Sequence, residues 1–150
     1  MKNEFYKLNI AFLNGTKYSS PKVKIFINVN EEDEFTELEN NSICSFDHVL
    51  LKIKDIENNK DLFLFLKDAN ILIENQQINI SSCSTKQFYI SLLKKINFKK
   101  ELSIIKKQIN ILELKKNFGL SIDEYIELEN LKEKHYILNL REILNLIEEN

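Results

Sequence analysis

Two cysteines and two histidines are the side chains of this chain best suited to covalent or metal chemistry. Cys83 stands within Ser81-Ser82-Cys83-Ser84-Thr85, a run of potential helix N-caps. A thiol at a helix start is acidified by the positive end of the helix dipole. A Cys83 nucleophile would still need a base, and neither His48 nor His135 is placed beside it by spacing. Cys44, Cys83, His48 and His135 are the right ligand types for zinc, but none of them forms the closely spaced pairs of a structural site. Glu129 and Glu133 are four apart on one helix face, as many surface carboxylates are, with no second pair to make an acid–base or metal set. Gly15 and Gly119 are the only glycines, so no phosphate-cradling loop, dinucleotide fingerprint or nucleophile elbow can be built. The reading assigns no catalytic residue, no cofactor and no metal, and expects a protein that works by contact rather than as an enzyme.

Charge and apolar patterning supply the contact candidates. Glu31, Glu32, Asp33, Glu34, Glu37 and Glu39 form the densest run of one sign. It reads either as a solvated loop or as a mimic of nucleic-acid phosphate that occupies a partner's basic groove. Lysine pairs recur at 94–95, 99–100, 106–107 and 115–116; Lys99 and Lys106 share a helix face with Ser103 and Asn110 nearby. No aromatic residues are interleaved with them to stack on bases. The helix expected over 99–118 carries a main apolar stripe of Leu102, Ile105, Ile109 and Leu112. It also carries a second series, Ile104, Ile111 and Phe118, at seven-residue spacing. One stripe suffices for a surface helix of a lone domain. The second is either covered by the last helix or offered to another chain.

Gly119 between two helices invites a helix-turn-helix reading, but Lys115 stands where the first helix needs a small residue. The following helix opens with Asp123, Glu124, Glu127 and Glu129, which repel phosphates. An ordinary helical hairpin is expected instead, without direct nucleic-acid binding.

The chain has 150 residues, 43% of them hydrophobic, with 21 basic against 23 acidic residues and a net charge of −2. One domain with a sizeable core is expected, and there is no global field to seek nucleic acid or an anionic membrane. Arg141 is the lone arginine, which limits bidentate phosphate recognition. Abundant Lys, Asn, Ile and Phe with few Gly and Pro fit an A+T-rich coding sequence, as in such a bacterium or its phage. Widely separated cysteines, no signal-peptide core and no apolar run near the ~18 residues of a membrane span point to a reduced, cytoplasmic setting.

The elements that must position these residues divide near Ser82. Before it, period-two alternation predicts strands: Tyr6, Leu8, Ile10 and Phe12, then Val23, Ile25, Ile27 and Val29, then Val49, Leu51 and Ile53. Asn14-Gly15 predicts a tight turn, and Tyr18, Ser19, Ser20 and Pro21 predict either a bulged pairing or a displaced partner. Glu31 to Asn41 reads as a loop or short helix pinned by Phe35 and Leu38. Leu62 to Leu66, apolar on both faces, predicts a central strand, and Ile71–Ile73 with Ile78–Ile80 a last hairpin. After it, Phe88, Leu92 and Ile96 recur every four residues and predict a helix that breaks near Asn97. Gly119 marks a stop, and Ser121 with Glu124 a capping box. The final helix is expected to pack through Ile122, Tyr125 and Ile126, then Tyr136, Leu140, Ile143 and Ile147, continuous or broken near His135.

The expectation is therefore a single α+β domain over 1–150, β-rich over 1–82 and helical over 83–150. An antiparallel sheet of about six strands, spanning about 4–81, precedes helices over about 84–149. Function is expected from protein binding, as an inhibitor, immunity or anti-defence protein acting by occlusion. Its contact residues would be Glu31, Glu32, Asp33, Glu34, Glu37, Ile104, Ile111 and Phe118. The partner would be another protein, such as a nucleic-acid-binding one, or a second copy of the chain. The rival readings are an assembly subunit of a phage or bacterial complex and a nucleic-acid-associated accessory protein.

Overall fold

Strand alternation in the first half of the chain closes on itself. The structure, a computed structural model, describes residues 5–28 and 33–149. Val29, Glu31 and Glu32, assigned above to a strand face and to the acidic run, lie outside the described residues. Two units are distinguished, one from the N-terminus to Ser91 with the last residues from Ile147, the other Leu92–Leu146.

The sheet consists of β1 (Tyr6–Ala11), β2 (Lys17–Asn28), β3 (Thr36–Glu37), β4 (Ser42–Asp55), β5 (Lys60–Glu74), β6 (Gln77–Ser81) and β7 (Tyr89–Ser91), all in the first unit, and β8 (Leu146–Glu148), whose first residue is the last of the second. β1 pairs β2, β2 pairs β4, β4 pairs β5 and β5 pairs β6, all antiparallel, and β6 returns to pair β1 in parallel. An up-and-down course of five strands leaves the first and fifth running the same way, so closing the ring requires one parallel pair. Closure removes the exposed edges that an open sheet would present. Tyr89 of β7 pairs with Phe63 of β5, and β8 follows β7 in the sheet.

Register places the apolar faces together. Leu8 opposes Ile78, which opposes Ile73; Ile25 opposes Ile53, which opposes Leu62. These side chains are buried, and a one-residue slip would turn each set to solvent. Turn chemistry sets that register with little glycine. Asn14 (φ 65°) and Gly15 (φ 75°) turn the chain into β2, at the dipeptide expected to turn. Asn75 (φ 51°) and Gln76 (φ 61°) close the β5–β6 hairpin through two left-handed residues, the geometry of a primed two-residue turn. Between β4 and β5, buried Asp55 accepts hydrogen bonds from the backbone N–H of Glu57 (3.1 Å) and Asn58 (3.3 Å) and from the Asn58 side chain (2.7 Å). Pro21 falls where the register shifts between Leu8↔Ser20 and Tyr6↔Val23, a bulge that spares the missing N–H. Of the two expected outcomes, a bulged pairing or a displaced partner, the bulge is the one present, within one long strand.

The helix expected at Phe88, Leu92 and Ile96 is absent, and helices begin only at Lys99. The serines read as helix caps bond elsewhere. Ser82 Oγ donates to the Lys67 carbonyl (3.0 Å), Lys67 N–H donates to Ser84 Oγ (2.7 Å), and Cys83 N–H donates to the same Lys67 carbonyl (2.9 Å). Short hydroxyl side chains compete with helical hydrogen bonding in this way. Tyr89 then packs edge-on to Phe65 at 5.3 Å, fixing the segment as strand. The acidic stretch also holds the short strand β3 rather than a helix, pinned as expected by Leu38, whose N–H donates to the Ile25 carbonyl (3.0 Å), and by Phe35 against Phe63.

The second unit is a hairpin of α1 (Lys99–Lys116) and α2 (Ile122–Leu144). Their antiparallel course is read from pairs that converge on the turn: Phe98 N–H to Glu142 (3.2 Å), Glu113 to Lys132 (2.8 Å), and Lys115 to Glu124. Gly119 takes φ 93°, the left-handed stop that was expected. Ser121 and Glu124 form the reciprocal capping box, with Ser121 Oγ accepting from Glu124 N–H at 3.1 Å and Glu124 accepting from Ser121 N–H at 3.2 Å. α2 runs unbroken past His135 and ends at Asn145, φ 56°. Among the described residues no helix is long and apolar enough to cross a membrane.

Candidate functional site

An antiparallel pair of helices can bury one seam between them and little else. Ile105 and Leu112 on α1 and Leu128 and Leu140 on α2 are buried; Leu102 and Ile109 are half-buried beside them. The second series behaves oppositely: Ile104 is 55% exposed, Ile111 64% and Phe118 90%. The final helix does not cover them. Seven residues advance a helix by about 10.5 Å, so Ile104 and Ile111 stand on one line along α1, and Phe118 follows in the turn after its last residue, Lys116. Leu114, three positions after Ile111 and four before Phe118, is exposed on the same face.

α2 also exposes apolar side chains where the sequence pattern predicts packing. Ile122 (79% exposed), Tyr125 and Ile126 were assigned to the helix's buried stripe, and all three are exposed. In α2's first turns the buried side chain is Leu128 instead. Leu120, Ile122 and Tyr125 with Lys116 and Ser121 line a shallow pocket of about 380 Å³ at the hairpin turn. Leu114 is the exposed residue that sequence reasoning missed. Its i+3 and i−4 relation to Ile111 and Phe118 was the signal available.

Charge is partitioned between the helices. α1 carries six lysines against Glu101 and Glu113, net +4; α2 carries six acidic residues against Lys132, Lys134 and Arg141, net −3 with His135 neutral. Ion pairing joins the helices: the Lys132 ammonium holds the Glu113 carboxyl below its ordinary value, and Glu113 in turn raises Lys132. Hydrogen bonds from Lys115 and then Ser121 lower Glu124 likewise.

The described residues of the expected acidic contact run belong to the first unit. Asp33, Glu34 and Glu37 are exposed, and Glu37 lies 4.0 Å from Lys24 within its own sheet. Cys83 is exposed and does not open a helix, so the dipole argument for its reactivity falls. Lys67 turns both its N–H and its carbonyl toward 82–84, while His48 pairs with Lys67 from β4 on the other side. β5 therefore stands between Cys83 and His48. Among the described residues no three His, Cys, Asp or Glu side chains cluster as metal ligands. A groove of about 630 Å³ crosses β1, β4, β5 and β6. Its polar groups satisfy one another, with Ser19 Oγ donating to Asn9 (2.9 Å) and Ser45 Oγ to Asn70 (2.7 Å).

Comparison with known sequences divides the chain at the same place as the structure does. A family model described as "UU051 N-terminal domain" matches residues 7–87, and one described as "Uncharacterised protein UU051 C-terminal domain" matches residues 99–149. The chain belongs to the UU051 family. A protein of Ureaplasma parvum serovar 3, printed as "Uncharacterized protein UU051", is 38% identical over 152 residues, spanning 97% of this chain and 89% of that relative. The first UU051 region thus covers β1 to β6, and the second begins at Lys99, the first residue of α1.

Proposed function

We propose that this UU051-family chain is a small cytoplasmic protein-binding module that acts by covering a partner's surface, as an inhibitor or immunity-type protein does, and not by catalysis. One observation supports this reading above others: seven large apolar side chains, Ile104, Ile111, Leu114, Phe118, Ile122, Tyr125 and Ile126, stand exposed on a hairpin of two helices. Leaving such side chains in water is unfavourable, and clusters of them mark contact sites. Aromatic anchors flanked by charge, here Phe118 and Tyr125 among Lys115, Lys116 and Asp123, are the composition of interface centres. Asp33 and Glu34 remain a candidate auxiliary surface for a basic partner.

A second reading, assembly through a second copy of the chain, is favoured by the charge partition. A two-fold axis lays α1 of one copy (net +4) against α2 of the other (net −3), and two hairpins together make a four-helix layer.

The test is paired. Light scattering with size-exclusion at micromolar concentration, and affinity capture from the native host with mass spectrometry, are run on the wild type and on Ile111→Asp/Phe118→Ser. A dimer that the double variant abolishes supports self-assembly. A monomer whose captured partner is lost in the variant supports the heterologous reading. If circular dichroism is unchanged and neither association nor capture responds to the variant, the hairpin face is not the contact surface.

A further inference from the structure

Between the helices, on a face separate from the apolar line, α1 and α2 form a groove of about 640 Å³. Lys99, Ser103 and Lys106 line it from α1 at i, i+4 and i+7. His135, Asn139 and Glu142 line it from α2 at the same spacing, and Lys95 stands at its entrance segment. Three ammonium groups thus share one concavity with one carboxylate. That carboxylate is already engaged, accepting the Phe98 N–H at 3.2 Å. Among the described residues Lys95, Lys99 and Lys106 take part in no ion pair, although Lys115 and Lys132 on the same hairpin do. Three ammonium groups beside one carboxylate leave the groove net positive, and an anion that enters it relieves their mutual repulsion.

From this geometry we infer that the groove is a binding site for a small phosphate ester carrying two or three phosphoryl groups, of the nucleoside diphosphate or triphosphate class. Lys99 and Lys106 are about 10.5 Å apart along the helix axis, a span that suits a chain of phosphoryl groups engaged from both ends. Ser103, Asn139 and the His135 imidazole supply hydrogen-bonding groups between them. Leu102 and Ile143 form an apolar wall for the organic remainder of the ligand, and the volume lies in the range of small-molecule sites. A single-stranded nucleic acid fits less well. The groove offers no Phe or Tyr face for base stacking. The chain's one arginine is held elsewhere, over the Phe98 ring at 5.1 Å and donating to the Leu146 carbonyl at 3.2 Å.

The experiment titrates the full chain with orthophosphate, inorganic pyrophosphate, ADP and a short single-stranded RNA, read by calorimetry and by amide NMR. ADP and pyrophosphate are expected to bind more tightly than orthophosphate and to shift Ser103, His135 and Asn139. Lys99→Gln/Lys106→Gln should weaken ADP about tenfold or more. Lys100→Gln/Lys107→Gln removes the same charge from α1 outside the groove and should change it less than about twofold. Four results would overturn the assignment: no binding of pyrophosphate or ADP, shifts located away from the groove, equal weakening by the two lysine pairs, or RNA binding far tighter than ADP. Because the shift map is read on the wild type, the outcome stands even where a variant folds poorly. It is also independent of whether Ile111 and Phe118 dock a partner.

Discussion

In the sheet, Ile25, Ile53 and Leu62 stand in register on adjacent strands and all three are sealed from solvent. Along α1, by contrast, Ile104 and Ile111, two turns apart, stand in water, as does Phe118 just beyond the helix end. Among the described residues the sheet's core cluster holds 19 buried side chains, while the two helices bury Ile105, Leu112, Leu128 and Leu140. The difference follows from geometry. A ring of strands encloses its inward face on all sides, and a pair of helices encloses only a seam. The sheet is complete by itself; the hairpin has apolar surface left to use.

That contrast is most exposed to refutation by truncating one isoleucine in each region. Ile53→Ala should cost about 3–4 kcal/mol in chemical denaturation, since it opens a cavity in a closed core. Ile111→Ala, removing the same atoms, should change monomer stability by less than about 0.5 kcal/mol. Equal costs would mean that α1's outer face is buried after all. Next in size, Leu128→Ala should cost about 2 kcal/mol and should be local. Hydrogen exchange is expected to speed up across α1 and α2 while the central amides of β4 and β5 keep their protection. Loss of protection in both units together would show that they unfold as one.

The two regions also differ in how far their residues could be read. Period-two alternation located β1, β2 and β4, a run apolar on both faces located the first half of β5, and the expected last hairpin located its second half and β6; turn chemistry located Asn14-Gly15, Gly119 and the Ser121 cap because the backbone there demands particular residues. Ring closure was not legible: no local pattern distinguishes a fifth strand that returns to the first from one that ends an open sheet. The false helix at Phe88, Leu92 and Ile96 arose because four-residue apolar spacing says nothing of where serine hydroxyls bond. Exposure on the hairpin was half legible. Ile104, Ile111 and Phe118 stood out as a surplus stripe, but which of α2's residues face Leu112 depends on helix rotation, and Ile122, Tyr125 and Ile126 were placed on the wrong side. The groove required both helices, since Lys99 and His135 are far apart in sequence and meet only once the hairpin forms.

A smaller effect sharpens the same comparison at the hairpin's turn. Ser121→Ala removes the acceptor for Glu124 N–H and should lower the stability of α2 by about 1 kcal/mol, whereas Ser121→Asp, which keeps an acceptor, should lose little. Thermal melts followed by amide NMR at the start of α2 distinguish the two. If both substitutions behave alike, the Ser121 acceptor is not what stabilises the start of α2.

The smallest effect concerns pH. Lys132 lowers Glu113, and Lys115 with Ser121 lowers Glu124, each below the ordinary value of 4.5. A carboxyl whose folded value lies below its unfolded one stabilises the fold above the unfolded value, and the contribution disappears as pH falls through the folded one. Lys132, raised above 10.5 by Glu113, has the opposite sign: its contribution is complete below 10.5 and lost as pH rises through the raised value. Hairpin protection should therefore be flat through neutrality and decline on acidification from about pH 6 to about pH 3. All three groups are open to solvent, so the decline should be modest and reduced by added salt. Glu113→Gln/Glu124→Gln should flatten the acid limb measured by hydrogen exchange in α1 and α2. An acid limb unchanged in that variant would assign the pH response to other groups and leave helix pairing to the Ile105–Leu112–Leu128 seam alone.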